Sequence, residues 1–229
     1  DGNYAIKHNL GTTPEFFMTK SADQSTNWSC WHKDLADTSQ RVVLSTNAAE
    51  ASSYWADASD SADGTGSYAN ISSGESPVTS TLFAIQDDEA GAGTFIGYFF
   101  ARTPGEIAIG KYAGNGAADG PFVQVDDGGS GFKPAWVMIK NITQAGNWFI
   151  YDNQRNPYNV VNAYLIADDS ATEATSGPVQ LDFTANGFKI RSANDGTNGA
   201  PSGTPDTLVY LAFAEHPFGG SGVAQARAS

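Results

Sequence analysis

The sequence predicts an all-β protein made of two related β-sandwich halves that are jelly-roll-like and contain little helix. Short apolar runs alternate with turn residues along the chain, as is typical of antiparallel sandwiches. No stretch keeps a 3.6-residue apolar period for three turns, the pattern that an amphipathic helix requires. The 229 residues include 25 Gly, 13 Phe, 9 Tyr and 5 Trp, a composition that indicates a globular β-rich protein rather than a disordered one.

The chain up to residue 101 contains six candidate strands separated by polar turns. They are residues 4–7, 16–20, 28–32, 41–45, 81–86 and 94–101. The last run is apolar on both parities, so we expect a central strand buried on both faces. A stretch rich in Ala, Ser, Asp and Gly, residues 46–80, is predicted to be a long irregular excursion over the surface. Loops of this length are often functional.

The rest of the chain, after residue 101, repeats this pattern of short apolar runs. Its candidate strands are residues 106–112, 122–125, 135–139, 148–151, 163–166, 179–183, 187–190 and 208–213. Asn186-Gly187 separates two alternating apolar runs and predicts a β-hairpin, because both residues accept the positive φ of tight turns. The run 208–213 resembles 94–101 and is likewise predicted to be a buried central strand.

Four matching segments in the same order indicate an internal duplication. Residues 11–20 match 131–140, Asn27-Trp28 matches Asn147-Trp148 and Trp31 matches Tyr151, all 120 positions apart. Residues 94–101 match 207–214 at an offset of 113. A unit of this length is a duplication rather than a solenoid repeat of about 20 to 50 residues. We therefore predict a first sandwich at 1–113, a seam at 114–130 and a second sandwich at 131–229.

Charge and hydropathy exclude two classes of partner. The 12 Lys and Arg against 25 Asp and Glu give a net charge of −13, which repels nucleic-acid phosphates and anionic lipid. No apolar run approaches the length of about 18 residues that spans a bilayer, so we expect no membrane insertion. The single cysteine, Cys30, is interpreted as a small buried apolar residue and not as a catalytic thiol.

The sequence contains no recognisable catalytic constellation. The three histidines, His8, His32 and His216, stand apart, and no His-x-His, His-Glu-x-x-His or Cys-x-x-Cys pattern is present. The nucleophile elbow Gly-x-Ser-x-Gly is also absent. We therefore expect a protein that is not an enzyme, with no catalytic residue and no cofactor.

The excursion 46–80 carries the best candidates for a binding site. Aromatic faces beside planar polar groups suit carbohydrate ligands, and oxygen-rich loops suit Ca²⁺. The candidate ligand-binding residues are Tyr54, Trp55 and Tyr68. The candidate calcium ligands are Asp57, Asp60 and Asp63, although their spacing of three is not that of a helix–loop–helix site and solvated loop acids show the same pattern. The segment 155–162 is interpreted as a Pro-containing turn with Asn caps.

Five segments, 111–123, 131–140, 148–152, 186–191 and 210–219, carry a family resemblance. They resemble a poorly characterised repeat domain of tailed bacteriophages, common in marine phages and found in tail-fibre-like or tail-spike-like virion proteins. The resemblance covers most of the chain and is closer in the second half. It implies a location on the virion surface, other virion subunits as partners, host-surface glycan as a ligand and a homo-oligomer. It supplies no catalytic residues.

Two other classes of function remain open from the sequence. One is a secreted glycan-binding lectin or filament-forming adhesin with the same sandwich. The other is a polysaccharide depolymerase, which requires carboxylates that converge in a groove.

Overall fold

The computed structural model describes residues 4–51, 55–58, 74–85 and 94–218, and within these ranges the protein is all-β, as predicted. Every strand pairing is antiparallel. The helical segments of the described ranges are one short α-helix, α1 (Asp195–Asn198), and a 3₁₀ turn (Pro201–Gly203). No helix in them is long and apolar enough to cross a membrane.

The chain divides into two compact units. The first comprises residues 1–44 and 50–101, and the second comprises residues 45–49 and 102–229. The segment 45–49 belongs to the second unit because the carbonyl of Asn47 accepts hydrogen bonds from the Gly146 amide (2.8 Å) and the Lys140 ammonium (3.1 Å).

The first unit contains a four-stranded and a two-stranded sheet. Its strands are β1 (Tyr4–Lys7), β2 (Phe16–Ser21), β3 (Ser29–His32), β4 (Val42–Val43), β5 (Leu82–Ile85) and β6 (Phe95–Phe100). The sheet orders are β4-β3-β2-β6 and β1-β5. The ring of Phe17 on β2 lies 5.5 Å from Trp31, 4.9 Å from Phe83 and 5.6 Å from Phe99. Because Phe83 belongs to β5, aromatic side chains from both sheets share this core.

The second unit is larger and has a five-stranded and a three-stranded sheet. Its strands are β7 (Ile107–Ala113), β8 (Phe122–Gln124), β9 (Pro134–Asn141), β10 (Trp148–Asp152), β11 (Leu165–Ile166), β12 (Leu181–Thr184), β13 (Gly187–Ile190) and β14 (Thr207–Ala214). The sheet orders are β11-β10-β9-β14-β7 and β12-β13-β8. Val137 and Tyr210 from the large sheet and Leu181 and Phe188 from the small sheet lie in one core, so this unit is sandwich-like.

The hairpin predicted at Asn186-Gly187 is confirmed. β12 and β13 pair from Leu181 opposite Ile190 to Thr184 opposite Gly187, with a two-residue turn between them. The two turn residues are Ala185 and Asn186, whereas Gly187 is the first residue of β13 and does not have the positive φ that the sequence signal implied. Glycine is required at position 187 for a different reason. A β-carbon there would overlap the carbonyl oxygen of Val123 on β8.

The two runs predicted to be buried central strands differ in the structure. The prediction is confirmed for β14, which lies between β9 and β7 and is buried along most of its length. It is wrong for β6, which leaves Ile96 45% and Tyr98 51% exposed and is the last strand of its sheet among the residues that the structure describes. Apolar residues on both parities show that a strand tolerates burial, but they do not show that a neighbouring strand is present.

The boundary between the units lies earlier than the predicted seam. β7 lay in the predicted first half but pairs with β14, and β8 lay in the predicted seam but pairs with β13. Residues 102–130 therefore belong to the second unit.

The loop 114–121 is tied to α1 within the second unit. The fully buried Asn198 side chain accepts a bond from the amide of Asn115 (2.7 Å) and donates to the carbonyls of Ala117 (2.8 Å) and Ser192 (2.8 Å). A β-carbon at Gly114 would overlap the carbonyl oxygen of Gly199, so the two backbones approach closely there. The glycines of this loop thus serve packing within one unit.

A buried carboxylate organises the next loop. Asp127 is 0% exposed and accepts hydrogen bonds from the backbone amides of Gly105 (2.9 Å), Gly129 (2.8 Å) and Gly131 (3.1 Å). Gly131 has φ 78°, a conformation that favours glycine. A single buried acid therefore accepts hydrogen bonds from three backbone amides, of which that of Gly105 belongs to a buried residue.

The four-stranded sheet of the first unit and part of the five-stranded sheet share the same pairing register. Phe17 lies opposite Trp31 in β2 and β3, and Val137 lies opposite Tyr151 in β9 and β10. The differences 137 − 17 and 151 − 31 are both 120, the offset seen in the sequence. The next strands in the two sheets, β4 and β11, also correspond. Cys30 on β3 lies opposite Val42 on β4, and the corresponding Ile150 on β10 lies opposite Leu165 on β11.

The agreement in register extends to β6 in the first unit and β14 in the second. Phe17 also lies opposite Phe99 on β6, and Val137 lies opposite Ala212 on β14, where 212 − 99 is 113. The residue just before β4, Arg41, forms an isolated bridge with Ala51, and the residue just before β11, Tyr164, forms one with Ala174. Both positions of the second bridge differ from those of the first by 123.

Cys30 is buried, as predicted from the sequence. Its side chain is 0% exposed on β3. Burial raises the pKa of the thiol far above its ordinary value, and a backbone hydrogen bond involving Leu44 opposes this only in part.

Lys140 is the one buried lysine among the described residues. Its ammonium donates to the carbonyls of Asn47 (3.1 Å) and Gly146 (2.5 Å) and lies 6.0 Å from the centre of the Trp148 ring. Burial lowers the pKa of Lys140 to about 8, against the opposing charge of Asp168. The charged form therefore has a cost that the ordinary lysine of an unfolded chain, with a pKa of about 10.4, does not have.

Removing the Asn198 side chain should destabilise the protein. We expect Asn198→Ala to lower the free energy of unfolding by about 2 to 4 kcal/mol, because the loop 114–121 loses its buried partners. Denaturant unfolding measures this change. Thr204→Ala, at an exposed position near α1, is the control and should stay within about 0.5 kcal/mol of the parent. A loss for Asn198→Ala as small as the control's would contradict the role assigned to this side chain.

The lysine predicts a pH dependence with a definite sign. Since the pKa of Lys140 is lower in the folded state, stability relative to Lys140→Met should be greatest above pH 10.4 and should be lost as the pH falls through about 8. The difference in unfolding free energy between parent and variant should change by about 2 kcal/mol between pH 7 and pH 10. Cys30 and the buried tyrosines are common to both proteins and cancel. Lys111→Met, at an exposed position, should show no such trend.

Candidate functional site

An open cleft of about 590 Å³ lies at one end of the β9–β10 hairpin in the second unit. Its volume falls within the range of roughly 300 to 1,000 Å³ that is common for ligand sites. The residues that line it are Ala135, Trp136, Asp152, Asn153, Gln154, Arg155 and Glu173.

The register of the sheet places Trp136 at this cleft. Trp136 lies opposite Asp152 on β10 and opposite Phe213 on β14, and its neighbour Val137 points into the core with 0% exposure. Alternation therefore directs Trp136 away from the core. Its ring lies 5.4 Å from that of Phe213, which supports it from the side. The half-buried indole supplies an aromatic surface to the cleft.

Asp152 ends β10 and shapes the turn beside the cleft. One of its carboxylate oxygens accepts hydrogen bonds from the amides of Gln154 (3.0 Å) and Arg155 (2.9 Å). This is a local side-chain cap of the kind that fixes tight turns. The backbone of the turn is tied to β9 as well, because the Asn153 amide donates to the Ala135 carbonyl (2.9 Å).

Arg155 is held between two carboxylates. Its Nη1 pairs with Asp152 Oδ2, and its Nε donates to Glu173 Oε2 at 3.0 Å. The guanidinium has five donors, and these two contacts engage only part of them. Arg155 brings one positive charge against two negative ones, so the lining does not favour an anionic ligand.

A second ion pair, between Lys133 and Glu215, stabilises the turn through Asn153. Asn153 Nδ2 donates to Glu215 Oε1 (2.8 Å), and Lys133 Nζ lies 2.9 Å from Glu215 Oε2. Burial alone would raise the pKa of Glu215, but the bonds from Lys133 and Asn153 outweigh it and lower the pKa. Glu215 therefore serves as an ionised anchor for Asn153.

The structure places the predicted ligand-binding residues differently from the sequence hypothesis. Trp55 is 0% exposed, its indole N–H donates to the Gln40 carbonyl (3.0 Å), and its ring packs 5.0 Å from Phe17. This tryptophan is a core residue of the first unit. Tyr54 and Tyr68 lie outside the described residues.

The predicted calcium ligands are placed only in part. Asp57 is buried, with 4% exposure, whereas Asp60 and Asp63 lie outside the described residues. Across the ranges that the structure describes, no group of three or more His, Cys, Asp or Glu side chains is arranged to hold a metal ion.

The turn predicted at 155–162 is present, with Asn side chains as its caps. Asn156 Oδ1 accepts from the amides of Asn162 (3.0 Å) and Ala163 (2.6 Å), and Asn159 exchanges two hydrogen bonds with the backbone of Phe183. Sequence reasoning did not connect this turn to Trp136 or Glu173. The cleft residues come from three separate segments, and only the strand register and the long loop after β11 bring them together.

The fold and the cleft define an all-β protein with two multi-sheet units and an aromatic and polar cleft in the second unit. A family model described as a domain of unknown function, DUF7483, matches residues 2–217, and the chain belongs to this family. The match runs through both units. No curated protein and no solved structure matches the chain.

Truncating Trp55 tests whether it is a core residue or part of a ligand surface. We expect Trp55→Ala to lower the free energy of unfolding by about 3 to 5 kcal/mol, because a large buried ring is lost. Chemical denaturation measures the loss. Tyr158→Ala removes an aromatic ring that is 83% exposed and should change the stability by less than about 0.5 kcal/mol. A Trp55 variant as stable as the tyrosine variant would show that the ring is not part of the core.

Proposed function

We propose that this chain is a non-enzymatic surface module of a tailed-bacteriophage virion that binds a neutral host-surface glycan through the cleft at Trp136. The phage context rests on the sequence resemblance. The binding role rests on one structural observation, the arrangement of Trp136 beside an Arg155 that two carboxylates hold in place.

The chemistry of the cleft suits a polyhydroxylated ligand. Trp136 offers an apolar aromatic surface against which the C–H face of a sugar packs. The amides of Asn153 and Gln154 and the guanidinium of Arg155 offer donors, and the carboxylates of Asp152 and Glu173 offer acceptors. Because the hydrogen bonds of the turn fix these groups before a ligand arrives, little conformational entropy is lost on binding.

We also infer that the two units arose by duplication. The support is the agreement between sequence offsets and pairing register across four strands, at 120 for β2 and β3 and at 113 for β6. The position that corresponds to Trp136 is Phe16, which is only 1% exposed. The cleft is therefore proposed as a property of the second unit alone.

A glycan array tests the binding role with the full chain and two matched variants. The parent should bind one or more neutral glycans, and Trp136→Ala should lose at least about tenfold in affinity, equal to about 1.4 kcal/mol. Tyr158→Ala, with an exposed aromatic outside the cleft, should bind as the parent does. Because Trp136 contacts Phe213, the thermal unfolding of each variant is measured alongside. Gln154→Ala offers an exposed second cleft position.

Two results would sink the glycan proposal. One is a parent protein that binds no glycan on the array. The other is a folded Trp136→Ala variant that binds as tightly as the parent.

The virion placement has a separate test. Mass spectrometry of purified phage particles should detect this chain as a stoichiometric component. Absence from the particles would reject the placement. If glycan binding persisted in that case, the secreted lectin or adhesin would become the better interpretation.

A polysaccharide depolymerase is the second candidate, because Asp152 and Glu173 both line the cleft. Glycoside hydrolysis commonly uses two such carboxyl groups. Incubation with a bound polysaccharide, followed by a reducing-end assay, separates the two functions. Release of reducing ends that Glu173→Gln abolishes would replace the binding-only proposal.

A further inference from the structure

The outer edge of β6 faces away from its neighbour β2. The carbonyls of Thr94 and Phe100 accept hydrogen bonds from the β2 side of the sheet. Backbone groups alternate between the two edges of a strand, so the N–H and C=O groups of Phe95, Gly97 and Phe99 point to the other edge. In the described part of the chain, the sheet ends at β6.

This edge is apolar and accessible. Ile96 is 45% exposed and Tyr98 is 51% exposed, with Gly97 exposed between them. The strand β6 reads Phe-Ile-Gly-Tyr-Phe-Phe and carries neither the lysine nor the proline with which proteins commonly protect an edge. Such an edge is suited to pair with another strand.

The second unit shows what the corresponding edge holds. β14 matches β6 in its register against the neighbouring strand, at an offset of 113. The opposite edge of β14 is paired with β7 over seven residues, from Thr207 opposite Ala113 to Phe213 opposite Ile107. This sheet therefore has a strand at the position that the first unit leaves open within the described ranges.

We infer that the outer edge of β6 is a strand-addition site, and that its occupant is an extended segment of a neighbouring polypeptide with the residue pattern of β7. The segment runs antiparallel to β6. This interaction surface is distinct from the glycan cleft and does not depend on it.

The register of β7 on β14 specifies the chemistry of the partner. Leu211 faces Ile109 and Phe213 faces Ile107, and subtracting 113 places the equivalent partner residues opposite Tyr98 and Phe100. Apolar residues opposite these two side chains form cross-strand pairs on the same face.

The partner residue opposite Gly97 is expected to be small. Tyr210 faces Gly110, and subtracting 113 gives Gly97. A β-carbon at Gly97 would lie 2.7 Å from the Phe99 ring, so that ring occupies the space above the glycine. The expected partner therefore has β-branched residues at alternate positions, glycine or alanine between them, and no proline.

The probe is a fluorescent peptide with the sequence of residues 106–113, Glu-Ile-Ala-Ile-Gly-Lys-Tyr-Ala. Fluorescence anisotropy with the full chain should show saturable binding. The same peptide with Gly110→Pro should bind at least tenfold more weakly, because proline removes a backbone donor that faces the pairing edge. Hydrogen exchange should slow at the amides of Phe95, Gly97 and Phe99 when the peptide is bound.

A protein variant locates the peptide on β6. The double substitution Ile96→Lys with Tyr98→Lys adds charge to the exposed face and should weaken peptide binding at least tenfold. Tyr158→Lys, on an exposed loop residue, is the matched control and should leave binding unchanged. If the double variant does not fold, the proline peptide and the exchange data still decide the question.

Three outcomes overturn the inference. The first is no peptide binding by the folded parent. The second is binding that the folded double variant retains, which would place the peptide elsewhere, for example in exchange for β7. The third is a concentration-dependent dimer that the double variant abolishes, without peptide binding, which would make a second copy of β6 the occupant.

Discussion

The pairing of β9 with β14 sets the organisation of the second unit. Its register decides that Val137 and Ala212 face the core and that Trp136 and Phe213 face outward at the same level. A slip of one residue would exchange these faces and place the tryptophan in the core. The turn at Asp152, the cleft and the position of β7 all depend on this alignment, because β10 pairs with β9 and β7 pairs with β14.

Polar side chains then hold the loops that the strands leave uncovered. Asp127 and Asn198 satisfy backbone groups of two loops, and Asp206, at 2% exposure, accepts bonds from Asn141 (2.8 Å) and Gln144 (2.7 Å). Buried polar groups that are bonded in this way define a loop geometry more narrowly than apolar packing does. The carboxylates of Asp127 and Asp206 thus have a structural role as acceptors for backbone and side-chain amide donors.

The sequence predicts the strands well and the site poorly, for physical reasons. Alternating apolar runs record which residues a pleated sheet buries, so the strand positions and the hairpin at Asn186 follow from local pattern. The edge position of β6 does not, because it depends on whether a distant segment pairs with it. Trp55 shows the same limit, because the polar residues around it in the sequence do not indicate that its ring is buried in the core. The cleft could not be predicted from the sequence, because Trp136, Arg155 and Glu173 are brought together only by the fold.

The burial of Cys30 has a practical consequence for labelling chemistry. A thiol with no exposed surface and a strongly raised pKa offers almost no thiolate to maleimides, iodoacetamide or oxidants in the folded protein. Because the chain has no other cysteine, the folded protein should react very little with these thiol reagents. A cysteine introduced at a chosen surface position would then carry a single fluorophore or spin label, and reaction of Cys30 itself would report unfolding of the first unit.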